Sequence, residues 1–169
     1  MPPSPVHPHR HQQLRLPDGR SLGYAEYGDP AGHPIFLFHG MPGSRLTCYP
    51  DEAVTAAAGA RVITVDRPGY GLSSFQPRRT LLDWPQDITA LAAALHLAHY
   101  AVTGVSNGAP YALACAYQTP ERVSRAGIIA GRGPLDKLGA LRELSAEDRN
   151  AVRMARGPLW WLMRCGLGL

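Results

Sequence analysis

AVTGVSNGAPYALACAYQTP, residues 101–120, passes from one kind of secondary structure to another with no linker between them. Residues 101–105 are a short, mostly apolar run, the pattern of a strand buried on both faces. The run leads straight into Ser106-Asn107-Gly108, and YALACAY then reads as a helix stopped at Pro120. Pro110 falls in the first turn of that helix, where no backbone donor is lost. Gly104-Val105-Ser106-Asn107-Gly108 is thus a G-x-S-x-G string with a strand before it and a helix after it, and this context gives the string its meaning. The reason is steric. A strand that turns at once into a helix holds the middle residue in a strained conformation, and Gly104 and Gly108 remove side chains that would collide. The Ser106 hydroxyl is then presented above the sheet, at a helix N-terminus where developing negative charge is favoured.

Outward from this string the same alternation continues. QLRL and SLGYAEYG, separated by the turn signal Pro17-Asp18-Gly19, predict an antiparallel hairpin. PIFLF (residues 34–38) and RVITV (61–65) are further buried strands, each ending in a Gly/Pro-rich loop. A helical stretch is expected after the first loop, to about Ala58 with Gly59 behind it, and another over residues 87–97. Residues 123–130 give one more apolar strand. The order predicts an α/β protein: a mostly parallel sheet with helices on both faces. After Gly133-Pro134 the character changes. Residues 138–156 read as an amphipathic helix, and PLWWLMRCGLGL is a short apolar piece in which Trp160 and Trp161 are expected to pack in a core.

Composition narrows the function classes. The 169 residues suffice for one domain with a real core. With 45% hydrophobic and 18% charged residues the chain is globular rather than disordered. The net charge is +4, but the arginines are scattered and no basic block tracks a phosphate backbone, so no nucleic-acid partner is expected. Three widely spaced cysteines form no metal-ligand spacing and read as reduced thiols of a cytoplasmic protein. MPPSPVHPHRHQQ lacks the apolar core of a signal peptide, so residues 1–11 are expected to be a flexible leader, its alternating histidines solvated rather than metal-binding. No stretch is long enough to span a membrane, and no metal or cofactor is implied.

Ligands of open parallel sheets bind beyond the carboxyl ends of the strands, where every unusual loop of this chain falls. Acyl transfer on Ser106 requires two backbone donors aimed at the oxyanion. The amide of Asn107 is one. The other must come from the loop His39-Gly40-Met41-Pro42-Gly43, and Met41 is the choice because Gly40 and Pro42-Gly43 let that backbone come close.

FHGMPGSR, DRPGYGLS and GVSNGAPYALACA, in that order, resemble the α/β-hydrolase superfamily, in particular bacterial members with HG-x-PG and D-R-x-G-x-G-x-S motifs. The opening PDGRSLGYAEYGDP is similar to their first hairpin, and the resemblance covers about residues 12–133. It implies a serine hydrolase acting on a small ester or amide through an acyl-enzyme. Ser106 would be the nucleophile, Met41 and Asn107 the oxyanion donors, and His39, Gly40, Gly104 and Gly108 would shape the loops. Asp66 reads as structural, since the family's acid comes later in the chain. The family's branches with an aspartate nucleophile, dehalogenases and epoxide hydrolases, are disfavoured by Ser106.

The family order of nucleophile, acid and histidine then raises a difficulty. All seven histidines precede Ser106. His33, His96 and His99 belong to the opposite end of the strands, and seven residues of extended chain put His99 up to ~23 Å from Ser106. His39 alone is expected at the right edge, as a loop-shaping residue. Asp136 is an alternative acid position. The expectation is therefore a fold that stops after about the sixth strand: residues 12–133 as the N-terminal part of the hydrolase core and residues 134–169 as the beginning of a helical lid. Two further readings stay open, a non-catalytic remnant or interaction module that self-associates, and one half of a split enzyme completed by a C-terminal half.

Overall fold

The computed structural model describes residues 11–47 and 51–131, together with Ala146 and Arg149. The chain divides into two units, Met1–Arg132 and Gly133–Leu169, and every element below belongs to the first. The leader up to residue 10, Asp136, Trp160 and Trp161 lie outside the described residues, as does the expected helix over 138–156 apart from Ala146 and Arg149.

The hairpin is present as β1 (Gln12–Arg15) and β2 (Ser21–Gly28). Then follow β3 (His33–Phe38), α1 (Glu52–Ala57), β4 (Ala60–Val65), α2 (Trp84–Ala94), β5 (Tyr100–Val105), α3 (Ala109–Gln118) and β6 (Val123–Ile129). The strands form one sheet in the order β1-β2-β4-β3-β5-β6. β1 and β4 both pair antiparallel to β2, and β4, β3, β5 and β6 run parallel. The expected α/β architecture with a mostly parallel sheet is therefore observed. β3 lies between β4 and β5, so the loops after these three strands meet at one edge.

The pleat divides the apolar residues between two faces. Phe36, Phe38, Ile63 and Val65 join Trp84, Ile88 and Leu91 of α2 and Tyr111, Ala112 and Cys115 of α3 in the larger core. Their neighbours Leu37 and Val62 join Ala25 and Tyr27 in a smaller cluster. Edge-to-face ring contacts run from Phe38 at the end of β3 to Trp84 at 5.4 Å, and from Trp84 to Tyr111 at 5.5 Å. They fix the first turns of α2 and α3 beside the β3 terminus. The hairpin is tied to α2 by Arg20, whose guanidinium donates to both carboxylate oxygens of buried Asp87 at 2.9 and 2.6 Å.

Two helices differ from their expected limits. No helix starts directly after the loop at residues 39–44. Residues 41–47 turn instead, with the Thr47 hydroxyl accepting from the Ser44 amide and the Ser44 hydroxyl from the Leu46 amide. Such short-range side-chain bonds compete with helical ones. α1 begins only where the Asp51 carboxylate caps the amides of Ala53 and Val54. α2 starts and ends three residues earlier than expected, with Pro85 in its first turn and His96 at φ +57° behind its cap. No helix of the described residues is long and apolar enough to cross a membrane.

Candidate active site

Ser106 occupies a 3-10 turn, Ser106–Gly108, between β5 and α3, and its φ is +50°. A non-glycine residue in this region is strained, and here the strain is imposed by close packing on both sides. A Cβ on Gly104 would stand 2.3 Å from the Gly108 carbonyl oxygen and 2.7 Å from the Ala109 Cα. A Cβ on Gly108 would stand 2.1 Å from the Phe38 carbonyl oxygen. The first glycine lets the chain fold back on itself, and the second lets the start of α3 rest on the end of β3.

The loop after β3 comes against the serine. A Cβ on Gly40 would meet the Ser106 Cβ and the Val105 carbonyl oxygen, each at 3.3 Å. The Met41–Pro42 peptide is cis, and the Met41 side chain is exposed, its sulfur facing the Tyr70 hydroxyl at 3.5 Å. Neither the Met41 nor the Asn107 amide donates a hydrogen bond within the loops and caps of the described chain. Two unused donors thus flank the residue with the strained backbone.

His39 is 1% exposed and both its ring nitrogens are engaged. The Arg67 amide donates to Nε2 at 3.3 Å, so that nitrogen carries no proton. Nδ1 lies 2.8 Å from the Gly40 carbonyl oxygen and donates to it. One neutral tautomer satisfies both contacts. Burial lowers the imidazole pKa from the ordinary 6.5 to about 4, outweighing the Gly40 carbonyl, which acts the other way.

Asp66 and Arg67, directly after β4, point to different neighbours. Asp66 is fully buried and accepts from the Arg45 amide at 2.6 Å, the Arg45 guanidinium at 2.8 Å and the Leu72 amide at 2.9 Å. It ties the loop after β3 to the loop after β4. Arg67 reaches the other way. Its Nη2 donates to the Gly40 carbonyl at 3.0 Å and its Nη1 to the Asn107 carbonyl at 3.3 Å. Its guanidinium carbon lies 4.8 Å from the centre of the Tyr70 ring and 5.1 Å from that of Tyr111. On Tyr111 it is joined by Arg79, which stacks at 5.0 Å and also donates to the hydroxyl.

The structure brings together Ser106, Gly104, Gly108, Asn107, Gly40, Met41 and His39 as the sequence placed them. It leaves His33 at the start of β3 and His99 just before β5, at the far end of the sheet. His11 was expected only as one of the solvated histidines of the leader. It precedes the β1 residue that pairs with Tyr24, which in turn pairs with Val65 at the end of β4, so His11 shares the serine's edge of the sheet. Its Nδ1 lies 2.9 Å from Arg45 Nη2. His39 is therefore not alone at that edge, but β1 is four strands from β5, about 19 Å across the sheet. Arg67 was also missed. Its only signal was an arginine confined between a buried strand and the Gly/Pro turn of DRPGYG.

A family model described as the alpha/beta hydrolase fold matches residues 33–164. The dihydrolipoyllysine-residue acetyltransferase component of the acetoin cleaving system of Pseudomonas putida is 34% identical over 139 residues, 80% of this chain and 37% of its own length. A proline iminopeptidase of Xylella fastidiosa is 32% identical over 128 residues, covering 70% of this chain and 39% of its own. Among solved structures, an esterase from Exiguobacterium antarcticum superposes with a TM-score of 0.61 at 25% identity, over 73% of this chain and 46% of that one. The chain spans less than half the length of these relatives.

Proposed function

The chain belongs to the alpha/beta hydrolase fold family, and on that premise we propose that it carries the nucleophile part of a serine hydrolase acting on a small ester or amide. The observation that carries this reading is Ser106 at φ +50°, held there by two glycines with no room for a Cβ, with the Gly40–Met41 loop closed against it. A strained backbone at such a point is retained where it serves a purpose. Ser106 Oγ attacks the carbonyl carbon and gives up its proton. The oxyanion takes the amides of Met41 and Asn107. The bond to the alcohol or amine breaks as that group is protonated, and water then releases the acid from the acyl-enzyme.

His39 shapes the loop and does not activate Ser106, because its one free electron pair already accepts the Arg67 amide. Asp66 is likewise committed to Arg45 and Leu72, which supports a structural role. The base is therefore sought outside the described residues. That observation also favours the second reading, in which this chain is one half of a split enzyme or a non-catalytic module.

A fluorophosphonate probe, with Ser106→Ala as control, tests the first reading. With no base among the described residues, at most weak labelling that disappears in the variant is expected, and a folded chain that never labels would count against catalysis by this polypeptide alone. For the split-enzyme reading, labelling should arise on mixing with a C-terminal half that supplies acid and histidine, and absence of any such gain sinks it.

A further inference from the structure

We propose that Arg67 is the positioning residue of the oxyanion site, a single guanidinium that sets the two donor segments against each other. The proposal takes its purpose from the serine-hydrolase reading and its geometry from contacts that hold whether or not the chain is catalytic.

The two segments come from different strands. Gly40–Met41 follows β3 and Asn107 follows β5, and the pairing of those strands ends at Phe38 and Gly104. Beyond that point no backbone hydrogen bond of the described loops joins the two. Arg67 supplies the link, with Nη2 on the Gly40 carbonyl and Nη1 on the Asn107 carbonyl. The planar fork of a guanidinium can hold two carbonyls at a fixed separation, as an ammonium cannot.

The Gly40–Met41 peptide is trans, so its C=O and N–H point in opposite directions. Drawing the carbonyl oxygen toward Arg67 and His39 Nδ1 turns the Met41 N–H to the other side, where no described residue accepts it. A cation on the oxygen also polarises the amide and strengthens it as a donor. Asn107 is treated similarly. Its carbonyl is tethered by Arg67 while its own N–H, on the preceding peptide, stays unused.

Arg67 is itself held firmly. It is 5% exposed, its backbone N–H is fixed on His39 Nε2, and its guanidinium lies against the rings of Tyr70 and Tyr111. No carboxylate pairs with it among the described residues, and its Nε is buried without a partner. A buried cation compensated only by carbonyls and rings is costly, and apolar side chains would pack there more cheaply. A positive charge behind the place where an oxyanion forms gives that cost a reason.

The test uses the full chain with Arg67→Met and Arg67→Lys. The Gly40 carbonyl carbon and the Met41 amide are followed by NMR, and the fluorophosphonate labelling rate is measured in parallel. In Arg67→Met both resonances should move and labelling should fall about 10- to 100-fold, on the scale of losing part of an oxyanion donor. Arg67→Lys should recover part of the rate. Unchanged Gly40 and Met41 resonances overturn the proposal, as does an unchanged labelling rate. If the wild-type chain does not label, catalysis by this polypeptide alone fails, and the two resonances alone decide whether Arg67 positions the loop. If Arg67→Met does not fold, Arg67→Lys decides by the same resonances. The wild-type chain adds a measurement that needs no variant: a scalar coupling across the hydrogen bond from Arg67 Nη2 to the Gly40 carbonyl carbon is expected, and its absence overturns the proposal.

Discussion

At the scale of single residues, two glycines of this chain are needed for different reasons. Gly108 has a backbone oxygen where its Cβ would be, 2.1 Å away, and neither β3 nor α3 can retreat without opening the core. Gly108→Ala should therefore destabilise the fold by about 2–4 kcal/mol, read as a drop in the urea midpoint. Gly59 has a φ of +63°, but nothing lies within 4 Å of the place a Cβ would take, so Gly59→Ala should cost only about 1 kcal/mol. Equal losses in the two variants would contradict the steric account of the serine turn. His39 adds a pH dependence. Its folded-state pKa, about 4, lies below the ordinary 6.5, so between these values the folded state binds fewer protons than the unfolded one. Its contribution is complete above about pH 6.5 and is lost as pH falls toward about 4, to a ceiling of about 3 kcal/mol. Denaturant titrations at neutral pH and near pH 5 should show this slope, and His39→Asn should flatten it. A slope that survives the substitution would assign it to other groups.

At the scale of elements, the antiparallel hairpin and the parallel sheet are held together by side chains as well as by β2–β4 pairing. Arg20, between β1 and β2, grips Asp87 in the first turn of α2. Asp87 is 4% exposed in its side chain and Arg20 18%, so the carboxylate is the buried partner. The arginine holds a second contact with exposed Asp18. Removing the cation strands Asp87, and Arg20→Ala is expected to cost about 2–3 kcal/mol, less than a fully buried pair because water reaches the arginine. Thermal unfolding of Arg20→Ala against Asp18→Ala separates the two contacts. A loss in Asp18→Ala as large as that in Arg20→Ala would mean that the exposed pair, not Asp87, carries the link.

At the scale of the whole described unit, the sheet is unevenly finished. β1 closes one side with a short strand rich in polar residues, whereas β6 is outermost on the other, with six of its seven residues exposed. Ile128 and Ile129 at its end are 44% and 54% exposed. An apolar strand with an unpaired edge is a template for another chain. Concentration-dependent association is the expected result in size-exclusion chromatography with light scattering, and Ile129→Lys should shift it toward monomer. A wild-type chain that stays monomeric throughout would show that this edge is covered in solution.

The order of strands and helices and the serine between two glycines were legible in the sequence, because each follows from near neighbours, whereas the loop facing that serine was legible only through the family resemblance. A run of apolar residues, a proline in a first turn and a glycine beside a strained position act over a few residues of chain. The start of the helix after β3 was not legible even at that range, since the hydroxyls of Ser44 and Thr47 satisfy backbone amides that a helix would have used. What only the tertiary structure decided were contacts across longer separations. The bond from Arg67 to Asn107 spans 40 residues, and those from Arg67 to Gly40 and to His39 span 27 and 28. No periodicity encodes them, because they depend on which strand edges the sheet brings side by side. The fate of His39 shows the division. Its place at the end of a buried strand could be read from its neighbours, but the use of both ring nitrogens was decided by a loop that arrives from β4.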